Sequence, residues 1–290
     1  MRGGVLRVVL LTLGEEYLPK AWSLHGFDRS EKITEPVPGV LIETGDGFVL
    51  LDTGFNPALI RDPALYRRFH GLVSGVEARL PQWPGDPLEE ELLRAGIGLE
   101  AISQVAVSHL HNDHAGGLRH FAGGTPVYVQ ERELRYGLDN FPEAEENGIF
   151  RVDFDDPKLN FVLLKGHLSD VPEEIAPGVF ALPTFGHTPG HQSFIVRFDE
   201  SVGGGGLVFA FDAADLRENF TEEWPVGGVI GCQPEETLEH IRRLRRLAEE
   251  EGLVLIPGHD PHVWPKLAGE LDRAGGTLPV GYTTEQLFSG

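Results

Sequence analysis

Cysteine is nearly absent from this chain: Cys232 is the only one in 290 residues. A lone thiol excludes an internal disulfide, so the fold rests on its own core, and a chain of this length is able to bury one. Cys232 reads as a packed thiol rather than a nucleophile. Methionine is equally scarce, with one residue, and tyrosine is held to five. Basic residues are few: 24 Lys and Arg stand against 45 Asp and Glu, a formal net charge of −21. That balance opposes nucleic acid and anionic membrane surfaces as partners. Long apolar runs are missing too. The patch Val8 to Leu13, flanked by Arg2 and Arg7, is too short to cross a bilayer, and no small-residue cleavage site follows it. It reads as a first strand, and the expected setting is cytoplasmic.

What is present is a succession of short strands and a few helices, expected to form a single domain over 1–290. Leu6 to Leu13, Val37 to Glu43 and Phe48 to Asp52 are strand-like, with Thr44-Gly45-Asp46-Gly47 as a turn. The polar, aromatic stretch 15–36 between the first two holds Tyr17, Trp22, His25 and Phe27, and reads as a long loop able to act as a lid. Asp86-Pro87 opens a helix with Leu88, Leu92 and Leu93 on its buried face, closed by Gly96. Ile102 to Val107 and Pro126 to Val129 are strands, and Glu131 to Leu138 a helix. Downstream, Val179 to Leu182, Ser193 to Phe198 and Leu207 to Phe211 are strand-like, with the run Gly203 to Gly206 as a hairpin tip. Pro234 to Glu251 is the clearest helix, with Leu238, Ile241, Leu244, Leu247 and Ala248 at helical spacing, and Leu253 to Ile256 is a buried strand. Strands followed by a helix, given twice, predict a two-sheet sandwich with helices outside rather than a doubly wound sheet.

The chemistry concentrates in His109-Leu110-His111-Asn112-Asp113-His114. Neutral imidazole nitrogen and carboxylate oxygen are donors preferred by zinc and similar divalent ions. In an extended backbone His109 and His111 point to one side, while the adjacent Asp113 and His114 diverge and can serve a second ion. Ala115-Gly116-Gly117 is expected to let the chain turn tightly. Three further metal-type residues each follow a strand. They are His187 in Gly186-His187-Thr188-Pro189-Gly190-His191, Asp212 after Leu207 to Phe211, and His259 in Pro257-Gly258-His259-Asp260.

The pattern His-x-His-x-Asp-His, then a lone His, a lone Asp and a final Gly-His, resembles the metal signature of the metallo-β-lactamase superfamily. Leu51-Asp52-Thr53-Gly54 matches an early-strand marker of the same group. The resemblance implies an α+β fold: a four-layer αββα sandwich of two mixed β-sheets flanked by helices. It implies that His109, His111 and His187 hold one metal, Asp113, His114 and His259 a second, and that Asp212 bridges them. Asp52 and His191 would orient ligands or water from behind. The cofactors implied are two divalent ions, zinc first, with iron, cobalt or manganese also suited to such donors. The chemistry implied is attack on a carbonyl by a hydroxide bridging the two ions.

Within the superfamily the chain is most similar to the N-acyl homoserine lactonases. Ser108 to Gly117, His187 to Ser193, and Asp212-Ala213-Ala214 running to Arg217-Glu218-Asn219-Phe220 carry the likeness. The implied function is opening of the lactone ring of N-acyl homoserine lactones; the alternative is a related hydrolase of another lactone, ester, thioester or phosphotriester. Asp113, Asp212 and Asp215 are the candidate catalytic residues. Asp215 is a departure, because the family typically carries a tyrosine three residues after the bridging aspartate. A carboxylate does not donate a hydrogen bond unless protonated, so Tyr17 and His25 are alternative donors. The expected partner is a small lactone or ester, with exposed aromatics compatible with a homodimer.

Overall fold

The computed structural model describes residues 3–166 and 171–289; Arg2 lies outside them. The strands are β1 (Val5–Pro19), β2 (Lys32–Thr44), β3 (Gly47–Leu51), β4 (Glu77–Arg79), β5 (Ile102–Ala106), β6 (Pro126–Gln130), β7 (Asn160–Leu164), β8 (Glu173–Ala176), β9 (Val179–Pro183), β10 (Gln192–Arg197), β11 (Gly206–Phe209) and β12 (Val254–Ile256). They form a seven-stranded sheet in the order β4-β1-β2-β3-β5-β6-β7 and a five-stranded sheet in the order β12-β11-β10-β9-β8. Both are mixed. In the first, β3, β5, β6 and β7 are parallel and the rest antiparallel. In the second, only β11 and β12 are parallel.

Period-two alternation builds the four layers. Val49 and Leu51 of β3 point between the sheets, as do Phe194 and Val196 of β10 and Leu207 and Phe209 of β11. Leu50 and Val105 point the other way, onto Leu88 and Leu92 of the helix Pro87–Arg94. Ile195 and Val208 point outward from the second sheet, onto Ile241, Leu244 and Ala248 of the helix Thr237–Glu251. The order helix, sheet, sheet, helix is the αββα sandwich expected from the resemblance. No helix among the described residues is long and apolar enough to cross a membrane.

Three expectations need correction. The stretch 15–36 is not a loop throughout: β1 runs on to Pro19 and β2 begins at Lys32, so only 20–31 lies between them. Its polar side chains read as loop, but the backbone of 15–17 is paired on both sides, with β2 and β4. Leu93 is exposed, since the outer helix buries only Leu88, Leu92 and Pro87. Gly116 and Gly117 have ordinary negative φ angles, so no tight turn requires them. Close approach does: a Cβ on Gly116 would lie 2.2 Å from Asn56 N, and one on Gly117 2.5 Å from Thr53 O. The cluster loop is thus pressed against the backbone that follows β3.

Candidate metal centre

Every candidate ligand leaves a strand at the same edge of the sandwich. His109 and His111 follow β5, and Asp113 and His114 sit in the short helix Asn112–Ala115. His187 lies between β9 and β10, Asp212 follows β11, and His259 follows β12. Two of the turns have unusual backbones: Asp52 (φ 58°) and Phe211 (φ 49°) are left-handed without being glycine. Such conformations persist where surrounding structure enforces them. The loops after β11 and β12 are laced together, with Gly258 N donating to Ala214 O at 2.9 Å and His259 N to Asp215 O at 2.8 Å. Across the sheets, Gln192 N donates to Ser108 O at 2.9 Å and Gln192 Nε2 to Val107 O at 2.7 Å.

The donor atoms fall into two sets. His109 Nε2 and His187 Nε2 each lie 2.9 Å from His111 Nδ1, and His187 Nε2 is 3.3 Å from Asp212 Oδ2. His114 Nε2 lies 2.9 Å from Asp113 Oδ2 and 3.2 Å from Asp212 Oδ1, while His259 Nε2 is 3.1 Å from that same oxygen. One carboxylate therefore presents one oxygen to each set. Within each of the groups His109, His111, His187, Asp212 and Asp113, His114, His259, all donor atoms lie within 4.8 Å of one another.

Hydrogen bonds at the far side of the rings settle which nitrogen is free. Pro36 O is an acceptor only, so His259 Nδ1, 2.9 Å away, donates to it and Nε2 is the nitrogen that faces Asp212 and would meet a metal. Asp52 Oδ2 lies 2.6 Å from His114 Nδ1 and fixes that ring in the same way. Ser108 Oγ gives its proton to Asp52 Oδ2 at 2.7 Å, so it accepts from His109 Nδ1 at 2.9 Å. The buried His114 Nε2 is thereby turned toward Asp113 and Asp212. Ring nitrogens aimed at a common point and held by acceptors behind suit a divalent cation, which displaces any proton they carry. The residues present fit two such ions. His191 packs against the first set from behind: its ring centroid lies 5.3 Å from that of His109, its Nδ1 lies 2.9 Å from Thr184 Oγ1, and its Nε2 has no hydrogen-bond partner among the described residues.

The electrostatics divide along the same line. Burial disfavours charge on His109 and His187 and holds both well below the usual histidine range. For His114 and His259 burial is outweighed by the nearby carboxylates, Asp113 first for one and Asp212 for the other, which raise them well above it. Burial likewise opposes charge on Asp212, but the surrounding imidazoles, His114 foremost, keep it ionised well below the ordinary aspartate value.

A cavity opens onto both sets. Besides His111, Asp113, His187, Asp212 and His259, it is lined by Glu16, Glu35, Asp215, Ser23, His70 and Trp22, with Val73, Val76 and Gly148 among the rest. Glu16 and Glu35 face each other across β1 and β2, and Ser23 Oγ donates to Glu35 Oε1 at 2.5 Å. Asp215 is buried with Oδ1 unpartnered; burial, then the charge of Asp212, raises its pKa well above the usual range. No Lys or Arg is among the lining residues described. Tyr17 and His25 do not line the cavity; the Tyr17 ring is covered by Arg79, 4.7 Å from its centroid. Glu16, Glu35 and His70 do not stand out in the sequence, whereas Ser108 opens one of the segments that carry the lactonase likeness.

A family model described as the metallo-β-lactamase superfamily matches residues 34–259. The chain belongs to the metallo-β-lactamase superfamily. An N-acyl homoserine lactonase of Bacillus thuringiensis is 32% identical over 225 residues, covering 78% of this chain and 81% of the relative. One from Azorhizobium caulinodans is 32% identical over 237 residues, covering 79% and 84%. A solved N-acyl homoserine lactone hydrolase, with the product N-hexanoyl-L-homoserine at its catalytic metal centre, superposes with a TM-score of 0.74 at 28% identity, covering 89% of this chain and 94% of that one. This membership places the chain among metal-dependent hydrolases, in the αββα fold of the lactonase structures.

Proposed function

We propose that this protein is a dinuclear-metal lactonase that opens the ring of N-acyl homoserine lactones. The observation that carries the reading is Asp212, whose two carboxylate oxygens face the two donor sets separately. In this reading His109, His111 and His187 hold one ion, Asp113, His114 and His259 the other, and Asp212 both. Two bound cations of the zinc type supply Lewis acidity that brings water toward ionisation near neutral pH and polarises a carbonyl. The protein's own part is orientation. Asp52, Ser108 and the Pro36 carbonyl hold three imidazoles in the ligating tautomer. Asp215 Oδ1, buried and unpartnered beside Asp212, meets the ring or its substituent in place of the usual tyrosine.

The cavity wall narrows the substrate further. Glu16, Glu35 and Asp215 bring carboxyl groups to it, without a described lining Lys or Arg to pair with anionic thioesters or phosphate-bearing substrates. They favour a lactone with hydrogen-bond donors near the ring, which the amide N–H of an N-acyl homoserine lactone supplies. The hairpin tip 20–31 contributes Trp22 and Ser23 to that wall, so the lid role falls to a short tip on two long strands.

The test is a substrate panel on zinc-loaded protein: short- and long-chain acyl homoserine lactones, simple γ- and δ-lactones, an aryl ester and paraoxon. Acyl homoserine lactones should exceed the others in kcat/KM by at least a hundredfold. Flat, weak activity on them with a stronger response elsewhere in the panel contradicts the substrate and leaves the family standing.

A further inference from the structure

A second buried carboxylate works behind the centre, and nothing in the ligand pattern points to it. Glu133 sits in the first turn of the helix Glu131–Asp139 and is fully buried. Its Oε1 accepts from Leu110 N at 3.0 Å. Its Oε2 accepts from Thr188 Oγ1 at 2.8 Å and from Gly190 N at 2.9 Å. The three donors belong to two loops separated by more than seventy residues. Leu110 lies between His109 and His111; Thr188 and Gly190 follow His187. The contact is close enough to dictate sequence: a Cβ on Gly190 would stand 2.3 Å from Glu133 N.

Asp52 offers the comparison. It reaches the second donor set directly, through His114 Nδ1. Glu133 touches neither Asp113, His114 nor His259 through any of its three bonds, and every donor it holds flanks a member of the first set. Burial raises the Glu133 pKa above the ordinary glutamate value, against the three donors that lower it. Three acceptor contacts to one buried carboxyl group form a rigid tie, since buried donors do not tolerate losing their partner.

We propose that Glu133 is the positioning residue of the first metal subsite, fixing the distance between the His109/His111 loop and the His187 loop. This rests on the two-subsite reading of the donor sets. Glu133 contacts no substrate and no metal; it acts through the backbone on either side of the three imidazoles. Its removal should loosen one subsite and spare the other.

The test is titration of metal-free full-length protein with cobalt(II), followed by its visible absorption. Wild type should take up two equivalents. Glu133→Gln keeps the shape but has one acceptor oxygen and an NH2 group facing donors. It should bind the first-subsite ion 10- to 100-fold more weakly, the usual cost of losing an outer partner of a ligand, and the second-subsite ion as wild type does. The spectrum of its one-equivalent form should match His187→Ala and not His259→Ala. Thr188→Val, which removes one donor without changing shape, should show a smaller loss in the same subsite; this variant decides the matter if Glu133→Gln does not fold. Wild-type affinity at both subsites in either folded variant, or equal loss at both, overturns the proposal. Wild-type protein that takes up no cobalt overturns the two-subsite reading itself, and this assignment with it.

Discussion

Asp52 Oδ2 lies 2.6 Å from His114 Nδ1, deep enough that neither side chain is exposed. The same carboxylate accepts from Ser108 N at 2.6 Å and from Ser108 Oγ at 2.7 Å. A left-handed backbone at a non-glycine residue, φ 58°, places it there. Asp52→Asn keeps the shape and gives up an acceptor oxygen. Metal affinity at the second subsite should fall about 10- to 100-fold, read by competition with a chromophoric chelator. An unchanged affinity would show that the His114 ring is held by packing alone.

Asp212→Asn tests the bridging position. The amide presents one oxygen and one NH2 group, so only one donor set keeps its acceptor. Turnover should drop on the order of a hundredfold or more, with fewer than two metal ions retained per chain. Full activity with two bound ions contradicts the role given to Asp212.

Asp215→Tyr restores the residue usual in the lactonases. Its effect on N-hexanoyl homoserine lactone separates two possibilities through kcat/KM. A fall of roughly tenfold is expected if Asp215 Oδ1 holds the substrate, the scale of one lost hydrogen bond in a buried site. A rise would show that the carboxyl wall with Glu16 and Glu35 is shaped for a different lactone.

How much of the molecule is legible in its sequence follows from where the information sits. The clustering of the candidate donors is readable because metal chemistry restricts the residue types and the strand ends supply the spacing: His109, His111, Asp113 and His114 are nearly contiguous, and His187, Asp212 and His259 each follow a strand. The layers are readable because apolar residues alternate, as in Val49, Leu50 and Leu51. The arms of the first hairpin are not, because Glu15, Glu16 and Glu35 look like loop while backbone pairing, of Glu15 and Glu16 with both β2 and β4 and of Glu35 with β1, makes them strand. Glu133 is not, because a glutamate in Gln-Glu-Arg-Glu at a helix start has the appearance of a solvated first turn. Its burial is decided by two loops that arrive from distant parts of the chain.

Gly116 illustrates the same point and gives a stability prediction. Its φ of −63° suits any residue, so local conformation would permit alanine. The 2.2 Å separation between an added methyl carbon and Asn56 N forbids it. Gly116→Ala should therefore destabilise by about 1–3 kcal/mol, the cost of overpacking, measured as a lower urea midpoint. A neutral or stabilising result would contradict the close approach.

Asp153 carries a pH dependence outside the candidate metal centre. Burial pushes its carboxyl up to about 7, against a hydrogen bond from Asn56 Nδ2 at 2.8 Å that lowers it. An unfolded aspartate titrates near 3.9. Between those values the folded chain holds a proton that the unfolded chain has released, so stability falls as pH rises from about 4 to about 7 and stays low above. Asp153→Asn keeps the acceptor for Asn56 and removes the penalty. Chelated protein should gain stability at pH 8, by at most ~4 kcal/mol, and nothing at pH 4. Equal midpoints for the two proteins at pH 8 would show that Asp153 is solvated.

The most direct measurement is hydrolysis of N-hexanoyl homoserine lactone as zinc is added stepwise to metal-free protein. A dinuclear centre shared through Asp212 predicts that activity rises until two equivalents per chain are bound and then stays level. Full activity without metal, or none with two equivalents bound, would contradict it.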